Sequence, residues 1–214
     1  MTGVDWLGAI RTGTTNGEGD AVLVLVREAL AAGGTPGAVL QDGLIAAMDD
    51  VGRRFQRGDC YIPEMILSAR TMKAAVEALR PSLVSTKVEP VGRIVIGSME
   101  GDLHDIGKNL VGMMLEGAGF EVIDLGNNVP PARFVEAVAL HRPGFVGFSA
   151  MLTTTMPNMP RTIAALDGAG LRRAVRIVIG GAPVSADFVQ EIGADLYAPT
   201  GTEAAQRLRG LARA

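Results

Sequence analysis

A single cysteine, Cys60, in 214 residues excludes an internal disulfide and any multi-cysteine metal cluster, so a bound metal would have to be held by other residues or by a cofactor. Histidine is almost as scarce, with two in the chain, His104 and His141. No apolar run approaches the roughly 18 residues that a bilayer span needs, and the start MTGVDWLGAIRTG has neither the basic segment nor the apolar core of a secretory signal. A cytoplasmic location is the expectation. An excess of one charge sign is missing too. A net charge of −3 from mixed residues makes no basic field for nucleic acid and no polybasic helix for a membrane surface, so neither is expected as a partner. What the chain does have is apolar content: at 48% hydrophobic residues it can build one large domain or two small ones with real cores.

The first eighty or so residues read as helices only. Thr35-Pro36 offers an N-cap followed by proline at the first helical position, and Val39, Leu40, Leu44, Ala47, Met48, Val51 and Phe55 then recur at helical spacing until Gly58. A second amphipathic helix opens at Pro63, where Ile62, Met65, Ile66, Ala69, Met72, Val76 and Leu79 mark one stripe, and is expected to stop at Pro81. Upstream, DAVLVLVREALAAGG has an Asp20 cap and a Gly33 stop, although AVLVLV alone fits a strand equally well. With a short helix near Val4 to Arg11, these make a small four-helix bundle. Met48, Met65 and Met72 belong first to its core. Cys60 has no base beside it and reads as a buried, inert thiol.

PSLVSTKVEPVG, residues 81 to 92, is punctuated by proline and weakly apolar, as a linker would be. After it the rhythm changes. RIVIGS, FEVIDLG, GFVGFSA, VRIVIGG and ADLYA are short apolar runs that alternate with helical segments near 106 to 117, 131 to 140, 155 to 168, 185 to 192 and 202 to 212. Strands separated by helices imply right-handed crossovers and a five-stranded parallel sheet covered on both faces. The expected organisation is therefore α/β, with a helical cap domain over 1 to 85 and a flavodoxin-like, Rossmann-type domain over 90 to 214. In such sheets ligands lie beyond the carboxyl ends of the strands, where strand order reverses.

Three loops would meet there: EGDLHDIG after the first strand, SAMLTTTM after the third and GGAPVS after the fourth. Taken alone, Asp102-x-His104-x-x-Gly107 occurs by chance and fits a helix start in which Asp102 caps and His104 packs. The three threonines 153 to 155 read as an N-cap cluster, and His141 as a cap at a helix end. The bland reading of Asp102 and His104 weakens once a serine and a double glycine fall at the ends of the correct strands.

Asp102-x-His104-x-x-Gly107, Ser149-Ala150-Met151 and Gly180-Gly181 resemble the D-x-H-x-x-G, S-x-L and G-G signature of cobalamin-binding domains, including the module of cobalamin-dependent methionine synthase. GDLHDIGKNLV, DLGNNVPPARFVEA, GFSAMLTTTM and IGGAPVS are similar to the corrinoid proteins of methylamine- and methanol-type methyltransferase systems, and RRFQRGDCYIPEMILSARTM resembles their helical half. The resemblance runs from about Ala21 to Ala205. It departs from the signature at Met151, where leucine is usual, a nearly volume-conserving change. It also departs at YAPTGTEAAQRL, which lacks the acidic residue expected after the last strand.

The resemblance implies cobalamin as cofactor, bound with its benzimidazole tail pulled away from cobalt and His104 as the lower axial ligand. A neutral imidazole suits such a metal, and its second nitrogen is left to donate a hydrogen bond. Asp102 would accept that bond and Ser149 would extend the relay behind it. Gly107 would make room for the nucleotide tail, and Gly180 and Gly181 would let backbone approach it. Asp105 and Ile106 within the motif, with Met151, Leu152 and Thr153 after the serine, complete the implied cofactor-binding set. Lys108 and Asn109 sit near a helix N-terminus without an assigned contact, and Met65 is a candidate for the upper side of the corrin. The implied function is a methyl carrier between a substrate-specific methyltransferase and an acceptor methyltransferase, with a reductive activase as a further partner, and so a subunit rather than a complete enzyme. The rivals are a cobalamin-binding sensor without methyl transfer, the cobalamin subunit of a mutase, and a flavodoxin-like domain that binds no corrinoid.

Overall fold

The computed structural model describes residues 5–86 and 89–212. The chain forms two compact units: one comprises the residues up to Pro90 together with Glu116–Gly119, the other Val91–Leu115 and the residues from Phe120 onward. Lys87 and Val88 of the expected linker, and Val4 of the first expected helix, lie outside the described residues.

The first unit is helical. Helix α1, Trp6–Asn16, starts where the Asp5 carboxylate accepts from the Gly8 N–H and stops at Gly17, whose φ of 76° is left-handed. Helix α2, Gly19–Ala31, settles the AVLVLV ambiguity in favour of helix: Val22 and Val26 are buried while Val24 is exposed, the alternation of a helix face rather than of a strand. Its N-cap is Glu18, which makes no side-chain bond, and Asp20 lies inside the first turn. The Asp20 cap is therefore corrected. Thr35 does cap as expected, its hydroxyl accepting from the Ala38 N–H with Pro36 at the first helical position. Helix α3, Pro36–Ala38, runs into a π-helical segment, Val39–Ile45, and then into α4, Ala46–Arg57, which ends at left-handed Gly58. The widened turn lies against α1: a side chain at Gly43 would meet Ile10 at 3.0 Å.

Helix α5, Ile62–Ser85, contains Pro81 rather than ending there. An internal proline forfeits one backbone hydrogen bond at a cost of about 3 kcal/mol, and burial of Leu79 before it and Leu83 after it offsets that loss. Met48, Met65 and Met72 are all buried, as core methionines should be. Burial, with the Glu64 charge as a lesser cause, pushes the Cys60 thiol up, which disfavours the reactive thiolate.

The second unit is a parallel sheet with strand order β2-β1-β3-β4-β5. The strands are β1 Gly92–Ser98, β2 Phe120–Asp124, β3 Phe145–Ser149, β4 Arg176–Gly180 and β5 Leu196–Tyr197. They alternate with α6 Ile106–Gly117, α7 Pro131–His141, α8 Asn158–Gly168, α9 Ala186–Ile192 and α10 Gly201–Ala212. Isoleucine and valine fill β1 and β4, and Val95, Val146, Ile177 and Ile179 are buried with Phe134, Phe148, Met159 and Leu166 in one apolar cluster. Buried β-branched runs of this kind are what a sheet covered on both faces demands. Helix α8 begins three residues later than the threonine run suggests, because its N-cap is Pro157. The threonines are thereby released from capping. Chain order reverses between β1 and β3, so their following loops flank the position where a ligand crevice opens. No helix among the described residues is long and apolar enough to cross a membrane.

Candidate cobalamin site

Ser98, Ser149 and Gly180 lie in register at the carboxyl ends of β1, β3 and β4, so the three loops expected to meet do start from one edge. Asp102 joins two of them. Its side chain is completely buried, and its Oδ2 accepts the Met151 N–H at 2.6 Å and the Thr155 hydroxyl at 2.9 Å. Its Oδ1 accepts the His104 N–H at 3.0 Å and lies 2.8 Å from the His104 Nδ1. Burial on its own would raise the carboxyl, but the Met151 and His104 N–H groups, the His104 ring and the Thr155 hydroxyl together hold it down at about 2. Asp102 is thus a buried anion with every lone-pair direction used.

An ionised carboxylate can only accept, so Nδ1 is the nitrogen that carries hydrogen, and in the neutral ring Nε2 keeps its lone pair. The imidazole side chain is 57% exposed. A basic, outward-directed nitrogen held by a carboxylate behind it is the arrangement of a metal-ligating histidine with its tautomer fixed. Among the described residues no three His, Cys, Asp or Glu side chains converge as a metal cage. His104 therefore fits as one axial donor to a metal whose other ligands come with it.

The surroundings fit a corrinoid. Leu103, Met151 and Leu152 are exposed on the two loops that Asp102 joins, as is Ile106 at the start of α6, and large exposed apolar side chains near a polar donor mark a binding surface. A side chain at Gly107 would meet nothing within 4 Å, leaving open space beside α6. Asp105 accepts the Asn109 N–H through its carbonyl at the start of that helix, and Thr153 is exposed in the turn after β3.

One sequence expectation is corrected. The relay behind Asp102 runs to Thr155 and not to Ser149: among the described residues, the Ser149 hydroxyl is not a partner of Asp102, and Ser149 contributes its carbonyl to the Met99 N–H. Residues at the end of a strand point into the sheet faces, whereas Thr155, on the turn beyond Met151, swings back over the carboxylate. At Gly181, with φ 128°, a Cβ would lie 1.8 Å from the Ala150 carbonyl oxygen, and at Gly180 it would lie 2.9 Å from that of Ala198, so the neighbouring backbone admits no side chain at either position. Lys108, left without an assigned contact by the sequence, is buried, and its ammonium donates to Asp124 at 2.5 and 2.6 Å and to Asn109 at 2.6 Å.

The sequence reading missed Asn127 and Asn128 in the loop after β2. The Gly101 N–H donates to the Asn128 Oδ1 at 2.7 Å, the Asn128 N–H to the Asp102 carbonyl at 2.9 Å, and the Asn127 amide to the Leu103 carbonyl at 3.3 Å. An Asn-Asn pair after a strand is the available signal, since asparagine tolerates the left-handed backbone that such corners need.

A B12 binding domain model matches residues 92–209, and a second B12 binding domain model matches residues 9–80. The trimethylamine corrinoid protein 1 of Methanosarcina acetivorans is 39% identical over 189 residues, covering 87% of this chain and 88% of its own. The dimethylamine corrinoid protein 1 of the same organism is 40% identical over 193 residues, 90% of each chain. Among solved structures, the methanol:cobalamin methyltransferase complex of Methanosarcina barkeri superposes with a TM-score of 0.88 at 27% identity, over 98% of this chain and 80% of that one. A cobalamin-binding protein of Desulfitobacterium hafniense gives 0.79 at 31% identity, over 97% and 98%. Thus the chain belongs to the B12-binding corrinoid proteins, the family that includes the methylamine corrinoid proteins.

Proposed function

We propose that the protein is a corrinoid methyl carrier in which His104 is the lower axial ligand of cobalamin. The observation that carries the reading is the Asp102-His104 pair: a ring 57% exposed whose Nδ1 is 2.8 Å from a buried carboxylate, at the switch point of a parallel sheet. Cobalamin, when bound, supplies a cobalt that takes up and gives up a methyl group, chemistry that no side chain here offers. The protein's part is to bind, orient and tune. Asp102 fixes the tautomer that leaves Nε2 basic, and Thr155 and the Met151 N–H hold the carboxylate so that the ring cannot swing. Leu103, Ile106, Met151 and Leu152 give the corrin an apolar seat, and the space beside Gly107 receives the nucleotide tail.

A carrier needs a donor enzyme and an acceptor enzyme. The relatives are named for trimethylamine and dimethylamine, and a matching solved structure is a methanol:cobalamin methyltransferase complex. On that basis the partners are a substrate-specific methyltransferase for a small methylated amine or alcohol, an acceptor methyltransferase and a reductive activase. The test is paramagnetic resonance of the Co(II) form of wild type and His104→Ala, each made with isotopically labelled histidine so that its nitrogen is told apart from that of the cofactor's benzimidazole. Imidazole nitrogen splitting present in wild type and lost in the variant, which still takes up the corrinoid, is the expected result. Splitting that survives the substitution refutes the ligand assignment, and a loaded wild type that accepts no methyl group from any methyl-donor enzyme favours a sensor.

A further inference from the structure

We infer that Asn128 is a positioning residue for the His104 imidazole, a role that rests on reading His104 as the cobalt ligand. The loop from Met99 to His104 has no regular secondary structure to hold it, yet its successive polar groups are engaged. The Asp102 N–H closes a turn onto the Met99 carbonyl at 2.9 Å, with Gly101 at φ 82°. In such a turn the Gly101 N–H faces outward, and the Asn128 Oδ1 takes it at 2.7 Å. Asn128 then returns its own N–H to the Asp102 carbonyl at 2.9 Å, so a single residue grips both ends of the Gly101-Asp102 dipeptide. Beyond it the Ser98 hydroxyl donates to the His104 carbonyl at 2.8 Å.

This grip depends on an unusual backbone. Asn128 has φ 52°, one of two non-glycine residues with positive φ among the described residues. Asparagine is the side chain that tolerates this region best, and it adds an acceptor where glycine has none. The loop carrying Asn128 is itself tied down on its other side: the Asp124 carboxylate that pairs with buried Lys108 also accepts the Gly126 N–H at 2.8 Å, and the Ser98 N–H donates to the Gly126 carbonyl at 3.0 Å. A chain of bonds therefore runs from α6 through Lys108, Asp124 and Gly126 to Asn128, and from there to the residues on either side of the Asp102 side chain. Among the described residues no hydrogen bond joins Asn128 to the His104 ring, whose Nδ1 is held by Asp102. Asn128 acts by fixing the peptide from which both members of the Asp102-His104 pair project, which pre-orders the donor before the corrinoid arrives.

Three variants separate the contributions. Asn128→Ala loses the acceptor and strains the backbone, Asn128→Gly keeps the backbone and loses only the acceptor, and Asn128→Asp keeps both. Amide hydrogen exchange of peptides spanning 99 to 106 in the cobalamin-free protein is expected to quicken by about fivefold in Asn128→Gly, more in Asn128→Ala, and little in Asn128→Asp, as loss of one hydrogen bond implies. In the protein loaded with cobalamin, the imidazole-coordinated fraction of the Co(II) form should fall in the same order while the corrinoid is still bound, a signature that a merely structural loss would not produce. Melting temperature identifies any variant that fails to fold. Should Asn128→Ala do so, the Gly and Asp variants decide. Exchange and coordination in Asn128→Gly equal to wild type would overturn the role of Asn128. Wild type that binds cobalamin without imidazole coordination would instead overturn the ligand reading, and the purpose of the anchor with it.

Discussion

Thr155 donates its hydroxyl to the Asp102 Oδ2 over 2.9 Å, joining residues 53 apart in the chain. The bond ties the loop after β3 to the loop after β1 across the crevice of the sheet. Thr155→Val removes a donor to a buried carboxylate and should destabilise the cobalamin-free protein by about 1.5–3 kcal/mol, while raising the pKa of Asp102. Ser149→Ala, the residue that the sequence pattern favoured for this place, should stay within about 0.5 kcal/mol. Chemical denaturation of both variants checks the pair, and equal losses would return Ser149 to the relay.

Asp102 also predicts how stability follows pH. Its folded pKa of about 2 lies below the ordinary 3.8, so its hydrogen bonds contribute in full above the unfolded value and fade as pH falls from about 5 toward 2. Asp102→Asn abolishes that titration. The difference in melting temperature between wild type and Asp102→Asn should therefore be largest at neutral pH and shrink between pH 5 and 3. A difference that stays constant over that range would mean that the carboxylate is not held down in the folded protein.

The two kinds of glycine at the site should separate cleanly. Gly181→Ala sets a Cβ against the Ala150 carbonyl at φ 128° and should cost about 3 kcal/mol or more with or without cobalamin. Gly107→Ala meets nothing and sits in helical backbone, so its melting temperature should hold or rise slightly while cobalamin affinity drops. Calorimetry of the cobalamin-free variants, followed by equilibrium binding, reads both. Undiminished affinity in Gly107→Ala would show that the space beside α6 is not used by the tail.

How much of this was legible depended on how far apart the contacting residues lie. The D-x-H spacing revealed its pair because both bonds between Asp102 and His104 span two residues, a separation that a local motif encodes. The order of strands and helices was legible because each carries its own periodicity, and strand ends then follow from where valine and isoleucine stop. Thr155 was hidden in a run of three threonines, of which only the third is buried, a distinction created by how the loop turns back toward Asp102. Asn128 was hidden because the Asn-Asn pair marks only a corner of the chain, while which of the two takes the left-handed angle is decided by the folded loop. Pro81 misled for the opposite reason: a local rule with a strong penalty was overridden by the burial of Leu79 and Leu83.

The second unit should also stand alone. Its apolar cluster, from Val95 to Val184, is drawn from its own strands and helices, so the fragment from Pro90 onward is expected to fold and to take up cobalamin. Circular dichroism and the visible spectrum after mixing with hydroxocobalamin test this. A fragment that folds but leaves the corrinoid unbound would place essential binding contacts in the helical unit.

The π-helical segment Val39–Ile45 bears on how this chain compares with its kin. There the Ala46 N–H reaches back to the Gln41 carbonyl, one residue further than an α-helix allows. An α-helix advances about 100° per residue, so one residue added to a regular helix would rotate Ala47, Met48 and Val51 away from the interior. A widened turn takes up the extra residue, and everything downstream keeps its bearing. In geometric terms the segment is a regular helix with one residue to spare: deleting one residue between Leu40 and Gly43 should yield an unbroken α-helix with the same buried face, and relatives one residue shorter in this stretch are expected to carry that form.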